Sequence, residues 1–370
     1  MAKKTFHKEE FDEGTISKLE LFKEYFKESF PVFVHSRYFN EILIIDFFAG
    51  QGLDVNGVYG TALNILNEIS SHCSSIIKIG KKMCLILNDK NEADNLQENA
   101  QSFLESCQAK CHYKCILKEN KNFLIRKRDF HEYFNELYPK LRTKNSVAKL
   151  FFLDPFNFVI DKKLFHKLIE LPSTDFLCFM PSSFLRRFPD EPSFKKYIDS
   201  NEIDFKSQKP AHCHRAIADY FQTLIQNEKE YYIGCFSIKK GTNYYGVLFG
   251  SNHTLGAEKF QRVCWKKDDV TGEADYNIDS EIVYNKKQNV LFDIPAHKLE
   301  SFEKKLKNEI TNKIITNDIE AYKFALKNRC LVKHASDILK KLMKQGKIQK
   351  FKTRNNDIHR IKEKNEIIIL

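Results

Sequence analysis

The sequence predicts an α/β fold of Rossmann type: a mostly parallel sheet that ends in an antiparallel hairpin, followed by a C-terminal winged helix-turn-helix. Three observations carry this reading. Short apolar runs alternate with helical patterns through the first half of the chain, as expected of parallel strands joined by helical crossovers. Two alternating segments then flank Lys240-Gly241-Thr242-Asn243, a hairpin signal. Beyond residue 300 come a helix, a turn, a second helix, a glycine and an alternating segment, which is the order of a winged helix.

Each element has its own justification. Leu19, Leu21, Phe22, Tyr25, Phe26 and Phe30 recur at helical spacing, giving a helix over 17–34 that Pro31 ends or bends. Residues 41–48, EILIIDFF, form an apolar run suited to a strand buried on both faces. A glycine turn, a long loop over 51–60 and a helix from about 61 to 70 follow. Further strands fall at 83–87, near 123–126, at 148–153 and at 175–180. Residues 184–228 read as helical and irregular, and 231–239 with 244–251 as the hairpin. Residues 256–300, with the lone Trp265, form a connector packed on the core. Residues 301–328 are helical. The segment from Leu331 is a second helix stopped at Gly346, with a β-hairpin turning at Asn355-Asn356 after it. The division is 1–300 for the Rossmann-like domain, with a helical insert at 181–230 in the substrate region, and 301–370 for a basic winged-helix domain.

The charge is uneven. The 370 residues carry a net charge of +11, and residues 301–370 hold 18 Lys and Arg against 8 Asp and Glu, so nearly all the excess sits in the tail. A basic module on a near-neutral body suits a polyanion partner. No apolar run approaches the ~18 residues of a membrane span, and Met1-Ala2-Lys3-Lys4-Thr5 opens no signal region. Ten cysteines without a secretion signal fit a reducing cytoplasm.

The strand ends carry the candidate chemistry. After the first strand, Asp46-Phe47-Phe48-Ala49-Gly50-Gln51-Gly52 gives an acid and a glycine turn that lets the backbone approach a ligand. Phe48, Ala49, Gly50 and Gly52 line this turn. Asp46 is placed to bond a ligand's amino group, Asp89 to grip ribose hydroxyls, and Asp129 to meet an adenine amine. The full G-x-G-x-x-G of NAD sites is missing, because its third place holds Val55; S-adenosylmethionine is the better cofactor. Such a sheet is the outline of a class I methyltransferase. Asp154-Pro155-Phe156, ending the fourth strand, occupies the place of the D/N/S-P-P-Y/F motif of amino-methylating enzymes, with one proline instead of two. An exocyclic amine is a poor nucleophile; a carboxylate and a neighbouring carbonyl can accept its N–H bonds and localise its lone pair, while an aromatic ring stacks on the flipped base.

Cys107, Cys111 and Cys115, with His112, are spaced for one helical face, and His212-Cys213-His214 stands beside Arg215. Structural zinc wants paired ligands and four of them, so the cysteines read as small apolar residues on a helix and no metal is expected.

Taken together, Lys18-Leu19 with Tyr25, the 45–52 run, Gly60-Thr61-Ala62-Leu63, Phe152 to Phe156, and Leu255-Gly256 with Trp265-Lys266 resemble the three-Cys-motif partner family over about residues 17–348. The resemblance implies a methyltransferase-like Rossmann domain with a C-terminal winged helix, a bacterial cytoplasmic setting, and a partner protein bearing a three-cysteine, iron–sulfur-type cluster. Gln51 and Asn157 stand where that family usually has Pro and Gly. The function expected is S-adenosylmethionine-dependent methylation of a base amine in nucleic acid, DNA or RNA. Lys333, His334, Lys340, Lys341, Lys344, Lys352, Arg354, His359 and Arg360 would hold the polymer. The alternatives are a non-catalytic nucleotide-binding scaffold and a DNA-binding regulator with a degenerate core.

Overall fold

Strands β1 (Glu41–Asp46), β2 (Lys82–Asn88), β3 (Phe123–Arg126), β4 (Val147–Leu153) and β5 (Thr174–Met180) form where the apolar runs lie. They pair in parallel, because each is followed by a crossover helix, and β6 (Tyr232–Lys240) with β7 (Asn243–Ser251) closes the sheet antiparallel. The order is β3-β2-β1-β4-β5-β7-β6. Gly241, at φ +57°, makes the tight hairpin turn. The computed structural model describes residues 10–370 except 112–114, 118–121, 156–157, 189–190, 193–196, 198–201, 204, 206–208, 227, 277 and 279–297. Phe156, Asn157 and His112 therefore lie outside the described residues.

Helices cover both faces. Helix α1 (Glu13–His35) starts where the Asp12 carboxylate accepts the Thr15 N–H at 2.8 Å. It does not end at Pro31: Phe30, Phe33 and Val34 are buried on either side, and their packing carries the helix past the missing N–H. Helix α2 (Thr61–Ile79) runs nine residues beyond the expected end, stopping at Gly80 with φ +76°. The Ser70 and Ser71 hydroxyls return to carbonyls one turn back, and buried Ile76 anchors the far end. Helices α3 (Ala93–Ala109), α4 (Phe130–Arg142), α5 (Lys162–Glu170), α6 (Ser182–Arg187) and α7 (Cys213–Thr223) complete the wrap.

The expected connector contains a further helix, α8 (Thr254–Lys267), packed against α1 and β6. The tail holds α9 (Lys298–Thr311), α10 (Asp318–Lys327) and α11 (Val332–Lys344), the last succeeded by Gly346 at φ +69°. The segment beyond Gly346 does not form the expected regular hairpin. Only isolated antiparallel bridges occur there, Ile348 with Ile369 and Asn317 with Glu366. The intervening chain docks instead on α8, where Glu258 accepts the Asp357 N–H at 2.9 Å and Ile358 is buried. Trp265 of α8 donates to the Arg329 carbonyl at 3.1 Å. Tail residues Phe302, Leu306, Leu326 and Leu342 belong to the same apolar cluster as Phe22, Ile44 and Phe152 of the sheet's α1 face.

Candidate active site

Asp46 ends β1 between Leu87 of β2 and Phe152 of β4. It is fully buried. Its Oδ1 accepts the Phe48 N–H at 3.1 Å, and its Oδ2 has no hydrogen-bond partner among the described residues. Burial pushes the carboxyl up to about 8; the Phe48 N–H draws it down, the nearby charges of Asp154 and Asp89 push it further up, and Lys18 draws it down.

The turn after Asp46 is locked from three sides. Phe47 N–H reaches the Phe152 carbonyl at 3.0 Å, Ala49 N–H the Asn88 carbonyl at 2.9 Å, and Gly60 N–H the Gly52 carbonyl at 2.8 Å. Gly50 and Gly52 both have positive φ, +59° and +92°, and a Cβ on Gly52 would meet Leu96 at 3.2 Å. Phe48 is half-buried against Phe130, with ring centroids 5.1 Å apart, and Ala49 is buried.

Asp89 is occupied: Oδ2 accepts the Gly50 N–H at 2.9 Å, and Oδ1 accepts the N–H groups of Asn91 and Glu92 at 2.8 Å each. It shapes both the glycine turn and the start of α3. Asp129 caps α4 through His131 N–H at 3.0 Å and pairs with Lys90 at 3.1 Å. Asn88, which ends β2, is buried and bonds Phe47 O, Arg128 O and Arg128 N–H, tying the ends of β1 and β3. Asp54, also unremarked in the sequence, accepts N–H groups from Phe11, Asn56 and Val58 and orders the loop before α2. An open cleft of about 430 Å³ lies between α1 and this loop, lined by Leu19, Lys23, Tyr59 and Asn64.

Asp154 comes directly after β4 on the Asp46 side of the sheet, half-buried beside buried Pro155. Lys18 of α1 forms an ion pair with it, and the Lys18 ammonium lies 4.7 Å from the centre of the Phe179 ring. Sequence reasoning does not assign Lys18 to the site. Its signal is nevertheless in the sequence: a cation at i−3 and i−4 from Leu21 and Phe22 interrupts the apolar stripe of α1. Asp154 and Asp89 thus lie near enough to act on Asp46 through their charge, with the Lys18 ammonium opposing them.

The cysteines do not share one helical face. Helix α3 ends at Ala109, so only Cys107 is helical; Cys111 and Cys115 lie beyond it, and all three are half-buried. Among the described residues no group of three or more His, Cys, Asp or Glu could hold a metal. His214 is fully buried, its ring nitrogens have no partner among the described residues, and burial pushes its pKa down to about 3. It packs against Gly246 of β7.

In the tail, Lys333, Lys340, Lys341 and Lys344 are exposed along α11, and Lys352, Arg354 and Arg360 are exposed beyond it. Lys340 pairs with Asp337 at 3.2 Å, Lys341 with Glu303 at 2.6 Å, and Arg360 with Asp357 at 3.9 Å. The two histidines turn inward. His334 Nδ1 accepts the Leu331 N–H at 3.2 Å, its ring meets Trp265 edge-on at 4.4 Å, and burial pushes it down to about 4. His359 is half-buried beside His253, and burial lowers its pKa.

No family model matches the chain, and no curated protein does. Two solved structures are distantly similar. A SAM-dependent methyltransferase from Agrobacterium tumefaciens aligns at TM-score 0.34 and 8% identity, over 66% of this chain and 63% of that one. Trm1 from Pyrococcus horikoshii, in complex with S-adenosyl-L-methionine, aligns at TM-score 0.33 and 11% identity, over 97% of this chain and 91% of that one. Similarity at this level fixes neither ligand nor substrate. Among the described residues no helix is long and apolar enough to cross a membrane.

Proposed function

We propose that the chain is an S-adenosylmethionine-dependent methyltransferase that acts on an exocyclic amine of a nucleic acid base. The observation that carries the reading is the buried Asp46 carboxyl, one oxygen of which has no partner among the described residues, beside the Gly50–Gly52 turn. A buried polar atom without a partner is costly, and a ligand donor would satisfy it. The sheet outline, parallel with a terminal antiparallel hairpin, supports the same class.

The donor set fits the cofactor. The carboxylates of Asp154 and Asp89, with an Asp46 carboxyl that ionises when a cation binds, stand against one ammonium; this favours a ligand that bears an amino group and a sulfonium, and disfavours the pyrophosphate of a dinucleotide. Asp46 would take the amino group, the Phe48–Gly52 backbone would border the ligand, and Asp89 and Asp129 would face its ribose and adenine. Bound there, S-adenosylmethionine supplies an electrophilic methyl group. Asp154 and the carbonyl of Pro155 would accept the N–H bonds of the target amine and orient its lone pair. Asp154 would then take the proton that the new C–N bond makes acidic. Phe156 would stack on the base. The exposed cations of α11 and of residues 352–360 would hold the polymer backbone. The resemblance to three-Cys-motif partners adds a bacterial cytoplasmic setting and an iron–sulfur-type partner to this proposal.

The Lys18–Asp154 pair favours a second reading, because it occupies the carboxylate that would act: a nucleotide-binding scaffold that recruits another protein. Calorimetric titration with S-adenosylmethionine, with Asp46→Ala as control, separates the two. Binding that the control loses supports the enzyme. Absence of binding to well-folded protein removes the enzyme and promotes the scaffold.

A further inference from the structure

The ion pair between Lys18 and Asp154 uses only part of each partner. An ammonium carries three N–H groups. One goes to Asp154 Oδ2, and the Phe179 ring lies under the charge, its centre 4.7 Å from Nζ. No further acceptor for Nζ, and no donor for Asp154 Oδ1, occurs among the described residues. The pair is not sealed: the Lys18 side chain is 11% exposed and that of Asp154 20%. At this depth an unspent ammonium N–H is costly, and an acceptor on a ligand would satisfy it.

The pair therefore offers a donor beside an acceptor, on groups that touch each other. Its complement is an NH2 and a lone pair on atoms joined through one carbon. That is the amidine edge, N=C–NH2, which adenine, cytosine and guanine carry and which thymine and uracil lack. An alkylamine such as a lysine side chain has no acceptor beside its nitrogen, and would set its own charge against Lys18.

We infer that Lys18 donates to the ring nitrogen beside the target amine, while Asp154 Oδ1 accepts the amine N–H, so that the ion pair reads the amidine edge of a nucleic acid base. This rests on the function proposed above and narrows it. The amine nitrogen forms the new C–N bond as the C–S bond of the sulfonium breaks. The electron pair of that bond stays on sulfur, and the amine proton passes to Asp154. Lys18 takes part in none of these bonds. A cation at the ring nitrogen draws electron density from the amine, so the contact selects the base without speeding the transfer. Its removal should raise KM more than it lowers kcat.

The test uses the full chain, S-adenosylmethionine and single strands of about 12 nucleotides, as DNA and as RNA, each with one amino base in a thymine or uracil background. Each strand is matched by an analogue in which C–H replaces the ring nitrogen: 1-deazaadenine, 3-deazacytosine or 3-deazaguanine. Mass spectrometry of the nucleosides identifies the methylated base. The expected result is one preferred base and a rise in KM of about tenfold for its deaza analogue. Lys18→Met should show no such penalty, because its donor is already gone, and Lys18→Arg should keep one. If Lys18→Met fails to fold, the paired substrates still decide the matter in the wild type. Equal KM for parent and deaza strands, or a penalty of the same size in Lys18→Met, overturns the inference and leaves the methyltransferase standing. Methylation of no strand by well-folded protein removes the nucleic acid reading and the inference with it.

Discussion

Lys18 of α1 and Asp154 after β4 form an ion pair between positions 136 residues apart, with the Phe179 ring beneath the ammonium. The pair joins the first helix to the fourth strand and offsets the carboxylates gathered at the sheet's edge. Lys18→Met should leave Asp154 facing Asp46 with no counter-charge. Urea unfolding at pH 7 should show a loss on the order of 3 kcal/mol, largely restored in Lys18→Arg. No loss would mean that the ion pair contributes little to the fold.

Asp46 sets a pH dependence. Its carboxyl is raised to about 8 in the folded protein against an ordinary value of 3.8, so the folded state binds the proton more tightly than the unfolded chain. Its contribution is fully present below the unfolded value and is lost as pH rises through the folded one. Stability should therefore fall between those limits by up to ~1.4 kcal/mol per pH unit. Asp46→Asn should flatten that slope in urea titrations at pH 5, 6.5 and 8; an unchanged slope would assign the dependence to another group.

Binding a cationic ligand should expel that proton. Titration with S-adenosylmethionine at pH 6.5, in buffers of different ionisation enthalpy, should show release of ~1 proton per site and tighter binding as pH approaches 8. Zero release would separate Asp46 from the ligand.

Asp154→Ala removes the side-chain oxygens that would accept the amine N–H bonds. Single-turnover methylation should slow on the order of a hundredfold or more, with cofactor affinity nearly unchanged. Parallel loss of cofactor affinity would move Asp154 into the cofactor site.

The exposed tail lysines should act through phosphate alone. Reversal of Lys340, Lys341 and Lys344 to Glu should lower the slope of log K against log salt by ~0.9 for each phosphate no longer neutralised, whatever the sequence bound. Equal slopes would free this helix from any role in polymer binding.

Much of the sheet was legible because β1, β2, β4 and β5 are largely buried on both faces and read as apolar runs, broken only by such residues as Lys149 and Asp175. The hairpin announced itself through Gly241. Helix ends were less readable: packing carried α1 past Pro31, and buried Ile76 carried α2 past Ser70 and Ser71 to its Gly80 cap. The acids at strand ends could be found because position along an α/β chain fixes which end a residue occupies. Their partners could not. Lys18 with Asp154, Asn88 with Arg128 and Phe179 with Tyr245 depend on the meeting of distant segments. The return of the C-terminal segment onto Glu258 was hidden for the same reason, since alternation alone suggests a hairpin.

Helix α8 has a consequence for how the molecule comes apart. Its Trp265 holds Arg329, its Glu258 holds Asp357, and its apolar face belongs to the cluster that also contains Phe302 and Leu342. Beyond residue 300 the tail is thus held to α8 by buried contacts. Sheet and tail should melt in one cooperative step. A fragment cut at residue 300 should lose the buttress that the tail provides, bare the greasy side of α8 and aggregate.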